Sequence, residues 1–280
     1  MNRSSKLRKL LNAGETLVMP DAYDPISARI IEKAGFKAVQ CSGGSISIAS
    51  CLQAETDLGL EENLEATRRI TCSVSVPVMA DGEDGYGDPD TVADTMRRFI
   101  GAGVAGINIE DQILSRGREC NIVDADLMVE KIKSARKAAI AEENPDMIIN
   151  ARTDALRAYE HRNDGLREAI KRANMYLDAG ADLAFVCYAA TLDEVKTLAK
   201  EICGPISIAA GMPYNIREFT IDDLKQLGVA RVSLPILAIL SAVRALSTSI
   251  SLISEPDGFA RIVDDEICCS PGELSALLRS

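Results

Sequence analysis

The stretch GAGVAGINIEDQ, residues 101–112, contains one complete structural unit. Gly103 stands where a helix should stop, in the left-handed cap that glycine adopts without steric cost. An apolar strand, GINI, follows at once and ends in Glu110 and Asp111. The same punctuation recurs in EKAGFKAV (32–39), DAGADLAF (178–185) and KQLGVARV (225–232). Working outward, eight short apolar runs read as strands: TLVMPDAY (16–23), KAVQCSGG (37–44), VPVMADGE (76–83), GINIEDQ (106–112), MIINARTD (147–154), LAFVCYA (183–189), ISIAAGMP (206–213) and RVSLPIL (231–237). Most are unbroken rather than alternating, which suits strands covered on both faces of a parallel sheet. Segments with apolar residues at three- and four-residue spacing separate them and read as helices. Eight β-then-α units predict an α/β fold, a (β/α)8 barrel.

The chain has 280 residues, 47% of them hydrophobic. That is enough for one large core, and a single barrel domain over 1–280 is expected, with a loop and one or two short helices after about residue 255. Nothing approaches the roughly 18 to 20 apolar residues of a membrane span. The N-terminal MNRSSKLRKLLNAGET is basic and amphipathic, without the apolar core of a secretory signal, and reads as the first helix of a cytoplasmic protein. Eight cysteines, with no C-x-x-C pair, are expected to be reduced and mostly packed. A net charge of −11 disfavours nucleic acid and anionic membranes as partners. A small anionic substrate would need a local cation.

Within VPVMADGEDGYGDP (76–89), three carboxylates, Asp81, Glu83 and Asp84, are threaded between Gly82, Gly85 and Gly87. A solvated turn uses the same residue types. The placement argues otherwise: Asp81 and Glu83 end the third strand, Glu110 and Asp111 the fourth, Arg152 and Asp154 the fifth, on the face where barrel enzymes carry their active sites. Carboxylate oxygens without His or Cys suit Mg2+, with Mn2+ as the other candidate. Arg152 could grip a substrate carboxylate in a two-pronged contact.

These residues carry a resemblance. DAYDPISARI, CSGGS, TDLGL, ADGEDGYG, GINIEDQ and INARTDA, in this order, make the chain resemble the isocitrate lyase and phosphoenolpyruvate mutase superfamily from about residue 5 onward. The resemblance implies a barrel whose eighth helix is swapped onto a neighbouring subunit in a homotetramer, a dimer of dimers. It also implies Mg2+ and a bound 2-oxo acid or its enolate. By motif, Asp81 would ligate the metal directly, Glu83 would take the place of a second Asp, and Glu110 would hold the ion through water. Ser42, Gly43 and Gly44 would present a hydroxyl and N–H groups to substrate, Tyr23 would line the pocket, Asp57 would stand beside the metal's waters as a catalytic group, and Arg152 would bind and polarise the substrate.

Family lyases follow the fourth strand with a loop reading Lys-Lys/Arg-Cys-Gly-His. Here the loop reads EDQILSRGRECNIVDADL (110–127), without that pentapeptide and without the Pro-Lys-Thr/Asp pattern of the mutases and phosphonopyruvate hydrolases. Cys120 is the nearby thiol, a candidate acid whose pKa Arg116 and Arg118 could lower. The expected function is Mg2+-dependent carbon–carbon cleavage of a 2-hydroxy or 2-oxo di- or tricarboxylic acid, similar to 2-methylisocitrate, releasing pyruvate or a related 2-oxo acid. The alternatives are oxaloacetate decarboxylation, phosphonate hydrolysis or mutation, and, in another class, a barrel that binds a 2-oxo acid without turning it over. His161, the only histidine, reads as a surface loop residue, and Cys187 as a small buried hydrophobe. GYG (85–87) lacks the third glycine of a dinucleotide fingerprint.

Overall fold

A computed structural model describes residues 2–113 and 120–279. Eight parallel strands close a barrel: β1 (Leu17–Ala22), β2 (Val39–Cys41), β3 (Val78–Asp81), β4 (Gly106–Glu110), β5 (Ile148–Thr153), β6 (Leu183–Val186), β7 (Ile206–Ala209) and β8 (Arg231–Leu234). Each neighbours the next in sequence, and β8 returns to β1. Every strand expected from the sequence is present, and β2, β3, β4, β6 and β7 are buried along their whole length. The four cap glycines, Gly35, Gly103, Gly180 and Gly228, all take positive φ, from 72° to 107°. Each turns a helix end into the following strand without the clash a Cβ would bring.

Helices wrap the barrel and bury one stripe each. Leu7, from the N-terminal helix Arg3–Leu11, is fully buried with Met19, Met79, Ile148 and Leu183 and closes the barrel floor. The opposite end stays open for chemistry. Parallel register sets Glu110 level with Arg152 and Arg152 level with Phe185, while Asp81, Asn108 and Asn150 align one step deeper. Because side chains alternate along a strand, Asn108 and Glu110 share a face, as do Asn150 and Arg152.

Two features were not anticipated. Gly43–Ala49 forms a helix, where CSGGS had read only as a strand end, and Ser42 caps it by accepting the Ser45 N–H at 3.2 Å. Glycine and serine disfavour helix interiors, so tertiary context overrides propensity here, with the cap as the local helix signal. Gln112–Ile113 and Asn121–Ile122 form a small antiparallel ribbon. Arg116 and Arg118 lie outside the described residues. The final barrel helix, Leu237–Leu252, buries only Ile239 and Leu252, and two short helices follow, Gly258–Asp264 and Pro271–Leu278. No described helix is long and apolar enough to cross a membrane. All eight cysteines are unpaired.

A Cβ at Gly82 would sit 2.6 Å from both the Asn108 carbonyl oxygen and Ile107 Cδ1, because β3 and β4 close tightly behind the site. Gly82→Ala is therefore expected to lose about 1–3 kcal/mol of stability, read as a lower urea midpoint. An unchanged midpoint would mean that the strand spacing can give way.

Candidate active site and metal centre

The acidic loop after β3 resolves into two jobs. Asp81 and Glu83 turn inward and are buried, while Asp84 accepts the Tyr86 N–H at 2.8 Å and shapes the turn. Gly85 and Tyr86 hold positive φ of 84° and 63°, and Glu83 does so at 49°, an uncommon conformation for a residue with a side chain. Asn63 pins the loop by donating to the Asp81 carbonyl and the Tyr86 hydroxyl, both at 2.8 Å. Asp81 Oδ2 accepts the Gly43 N–H at 3.0 Å, whereas Asp81 Oδ1 and Glu83 Oε1 are buried without a hydrogen-bond partner. Glu55, from the short turn Glu55–Asp57, brings a third carboxylate, and one oxygen from each of Glu55, Asp81 and Glu83 lies within 4.8 Å of the others.

Arg152 faces this cluster from the end of β5. Its Nη1 lies 2.7 Å from Glu110 Oε2, and its Nε and Nη2 bond both oxygens of Asp154 at 2.7 and 2.9 Å. Asp154 is itself held, its N–H donating to Asp111 Oδ1 at 3.0 Å. The other oxygen of Asp111 accepts from Tyr176 Oη at 2.7 Å and Arg172 Nη1 at 3.1 Å, and Arg172 also reaches the Val123 carbonyl. Below the cluster, the fully buried Arg231 donates to Ser207 and to Gln40.

A cavity of about 120 Å³ lies between these groups. Asp21, Ser42, Gly44, Glu55, Asp81, Asn108 and Arg152 line it together with Phe185, Cys187, Tyr188, Met212, Tyr214 and Ile236. The structure thus brings together Ser42, Gly44, Asp81 and Arg152 on the cavity wall, with Glu83 and Glu110 buried against them. Of the expected donors, the Gly43 N–H already serves Asp81, whereas the Ser42 hydroxyl only accepts its cap hydrogen bond and keeps its own O–H to donate. Tyr23 is half-buried on the cluster around Ala28 and Ile46, and its strand neighbour Asp21 faces the cavity. Asp57 is half-buried in the same turn as Glu55, but the carboxylate in the trio belongs to Glu55.

Cys120 is half-buried beside Gln112, and burial and Asp154 push its thiol up to about 11. This corrects the expected lowering: desolvation outweighs the pull of Arg157 and Arg152. His161 is exposed. Glu55, Asp21 and Asn108 are the site residues that the sequence reading missed. Only Asn108 carried a plain signal, two residues before Glu110 on the same strand face.

Burial is the largest influence on every acid here. It raises Glu83 and Glu110 well above the ordinary range, and Asp81 and Glu55 as well, with neighbouring carboxylates adding to the rise at Glu55, Glu83 and Glu110. Asp21 is pushed up to about 7, with Arg231 opposing. Crowded, oxygen-only donors with two orphaned buried oxygens fit a hard divalent cation such as Mg2+, which Glu55, Asp81 and Glu83 would hold.

A family model described as phosphoenolpyruvate phosphomutase matches residues 7–253. The chain is 33% identical over 261 residues to the petal death protein of Dianthus caryophyllus, covering 90% of this chain and 79% of that one. It is 32% identical over 279 residues to 2,3-dimethylmalate lyase of Eubacterium barkeri, covering 96% and 92%. Among solved structures, a phosphonopyruvate hydrolase complex with oxalate and Mg2+ superposes with a TM-score of 0.87 at 27% identity, covering 99% of this chain and 95% of that one.

Metal binding to carboxyls with raised pKa values must displace protons. Adding Mg2+ to EDTA-treated protein near neutral pH is expected to raise the melting temperature and release protons into weak buffer. The stabilisation should grow as pH rises, since fewer protons then compete. Asp81→Asn should lose both signals. A thermal shift without proton release would mean that the acids are already ionised in the metal-free protein.

Proposed function

This chain belongs to the phosphoenolpyruvate phosphomutase family, and from that membership and the site's geometry we propose that it is a Mg2+-dependent carbon–carbon lyase. Its substrate is a small 2-hydroxy or 2-oxo dicarboxylic or tricarboxylic acid, and pyruvate or a related 2-oxo acid is released. The observation that carries the reading is the trio Glu55, Asp81 and Glu83, with oxygens within 4.8 Å, of which Glu55 and Asp81 line one cavity together with Arg152. A solvated turn would not bury Asp81 and Glu83 against a third carboxylate without cations of their own.

A divalent cation bound there supplies Lewis-acid stabilisation to oxygens that gain charge. The chain's own residues do the rest. Arg152, locked by Asp154 and Glu110, presents a fixed positive charge to the substrate's carboxylate end. For a 2-hydroxy acid, the hydroxyl proton leaves while the C2–C3 electron pair moves to the C3 fragment, and C2 becomes the carbonyl of the 2-oxo acid. The cavity-lining carboxylate of Glu55 takes that proton when Asp81 and Glu83 hold the cation and leave one of its oxygens free. The C3 fragment then accepts a proton and departs.

Assembly belongs to the same proposal. On the helix Leu237–Leu252, Leu240, Val243, Leu246 and Ile250 are 47%, 47%, 64% and 59% exposed, an apolar stripe at helical spacing on one subunit. Exchange of this helix within a homotetramer would cover it. Light scattering should report a tetramer, and a monomer would refute the exchange.

The activity test is pyruvate release, coupled to NADH oxidation by lactate dehydrogenase, from 2-methylisocitrate, 2,3-dimethylmalate, oxaloacetate and phosphonopyruvate, each with Mg2+ and with EDTA. Release from one of them should need the metal, and Asp81→Ala should abolish it while the barrel stays folded. Full activity of Asp81→Ala in EDTA would overturn the site.

A further inference from the structure

The proposed cleavage leaves one proton without a source. Glu55 takes the hydroxyl proton, but the C3 fragment must gain one, and Cys120, the expected acid, is not on the cavity wall. Among the described residues, six ionisable side chains besides Arg152 line the cavity: Asp21, Glu55, Asp81, Cys187, Tyr188 and Tyr214. Glu55 and Asp81 belong to the trio that fits the cation. Burial pushes the Cys187 thiol and the Tyr214 phenol far up and the Tyr188 phenol up to about 12, which leaves all three as weak acids. Asp21 is the acid that remains.

Its carboxyl is held by one oxygen and offers the other. Asp21 stands one residue before the end of β1, buried and level with Gln40 on β2. Its Oδ1 accepts the Leu234 N–H at 3.0 Å, from the end of β8. Among the described residues no donor bonds its Oδ2, and Asp21 lines the cavity, so this is the oxygen presented to a ligand.

The charge that answers Asp21 lies behind it. Arg231 on β8 is fully buried and donates at 2.7 and 2.6 Å to Ser207 and Gln40, both neutral, while its Nε is unpaired. Its positive charge is therefore left to Asp21 and Asp81, the acids that act on it. Burial raises Asp21 more than Arg231 lowers it, and the carboxyl settles at about 7, close to neutral pH, where a general acid is both protonated and able to give its proton. The other groups around it are Asp81 from β3, Glu55 on the same cavity wall, and Cys41 from β2, a thiol pushed up to about 12 and so neutral. Asp21 stands outside the trio. The field of a cation held there and that of a bound dianion act on it in opposite directions.

Resting on the lyase reading, we propose that Asp21 is the catalytic acid of the cleavage, its Oδ2 carrying the proton that C3 receives. As C2–C3 breaks, its electron pair goes to C3, the hydroxyl proton goes to Glu55, and the Asp21 O–H proton goes to C3. Asp21 is left as a carboxylate and Glu55 as a carboxylic acid, and exchange with solvent resets both once the products leave. Arg231, which does not reach the cavity wall, is a positioning residue that supports the carboxylate Asp21 becomes.

The test follows pyruvate release from the 2-hydroxy acids 2-methylisocitrate and 2,3-dimethylmalate at saturating Mg2+. Asp21→Asn should lower kcat by about 100-fold or more and leave KM within about threefold. It should keep the thermal stabilisation given by Mg2+ and oxalate, which certifies its fold and metal site. Wild-type kcat should fall as pH rises past about 7, because an ionised Asp21 has no proton to give, and Asp21→Asn should lose that descending limb. Wild-type kcat in Asp21→Asn, a descending limb that survives the substitution, or a wild-type kcat that does not fall between about pH 7 and 9 would overturn the proposal while leaving the lyase reading standing. Metal-dependent release from neither acid would remove the 2-hydroxy acid reading and this proposal with it. The wild-type pH profile needs no variant, so misfolding of Asp21→Asn would not shield the idea.

Discussion

Too many like charges share a nearly dry space at the barrel mouth. Glu55, Asp81, Glu83 and Glu110 converge there, with Asp154 close behind, and Arg152 is the guanidinium in contact with the last of these acids and with Glu110. Repulsion between carboxylates a few ångströms apart is several kcal/mol even at a generous effective dielectric constant. Arg152 relieves the trio only in part and from a distance, because its nitrogens are bonded to Asp154 and Glu110. The remaining charge must be met by protons or by a cation. Protons are the metal-free answer: burial first, and the neighbouring carboxylates at Glu55 and Glu83, raise these carboxyls together. A divalent ion is the answer that also does chemistry.

Such a cluster holds its shape only if the surroundings over-determine it. The Asp111 carboxylate links strand ends to the helix Arg162–Asp178 through Tyr176 and Arg172, and it takes the N–H of Asp154. The chain of contacts therefore runs from a helix on the outside to the orientation of Arg152. Asp111 is fully buried and accepts hydrogen bonds on both oxygens, so it does not compete for a metal. Removing one partner would leave a buried charge short of compensation, which is far costlier than the bond itself is worth. Adjacent residues in one motif thus divide between chemistry, at Glu110, and positioning, at Asp111.

The same division explains what could be read from the sequence. Strands have a period of two and end at recognisable glycines and acids, so Asp81, Glu110 and Arg152 could be placed on one face of one barrel before any coordinates. Gly35, Gly103, Gly180 and Gly228 announced their left-handed caps because few other residues tolerate them. The turn Glu55–Asp57 has no period to count. Two acids stand in it two residues apart, and only the tertiary path decides which one turns inward. The resemblance set Asp57 beside the metal's waters, and Glu55 is the further acid of that turn whose oxygen joins the trio. Cys120 shows another limit, since sequence neighbours suggest attraction from arginines while burial, which dominates, cannot be seen in a loop.

The departure from the family pattern at residue 83 has a structural partner. A glutamate there is one methylene longer than aspartate and must fold its carboxylate back into a space already bounded by β2 and the helix after it. A Cβ at Gly43 would lie 1.7 Å from Glu83 Oε1, so the longer acid fits because residue 43 has no side chain. Glu83 meets the other half of the requirement with a φ of 49°, which bends the chain at the cost of some backbone strain. The two positions are therefore coupled: any side chain at 43 displaces the carboxylate at 83. The glycine that frees its N–H for Asp81 also makes room for Glu83, so one residue without a side chain sets the spacing of both acids.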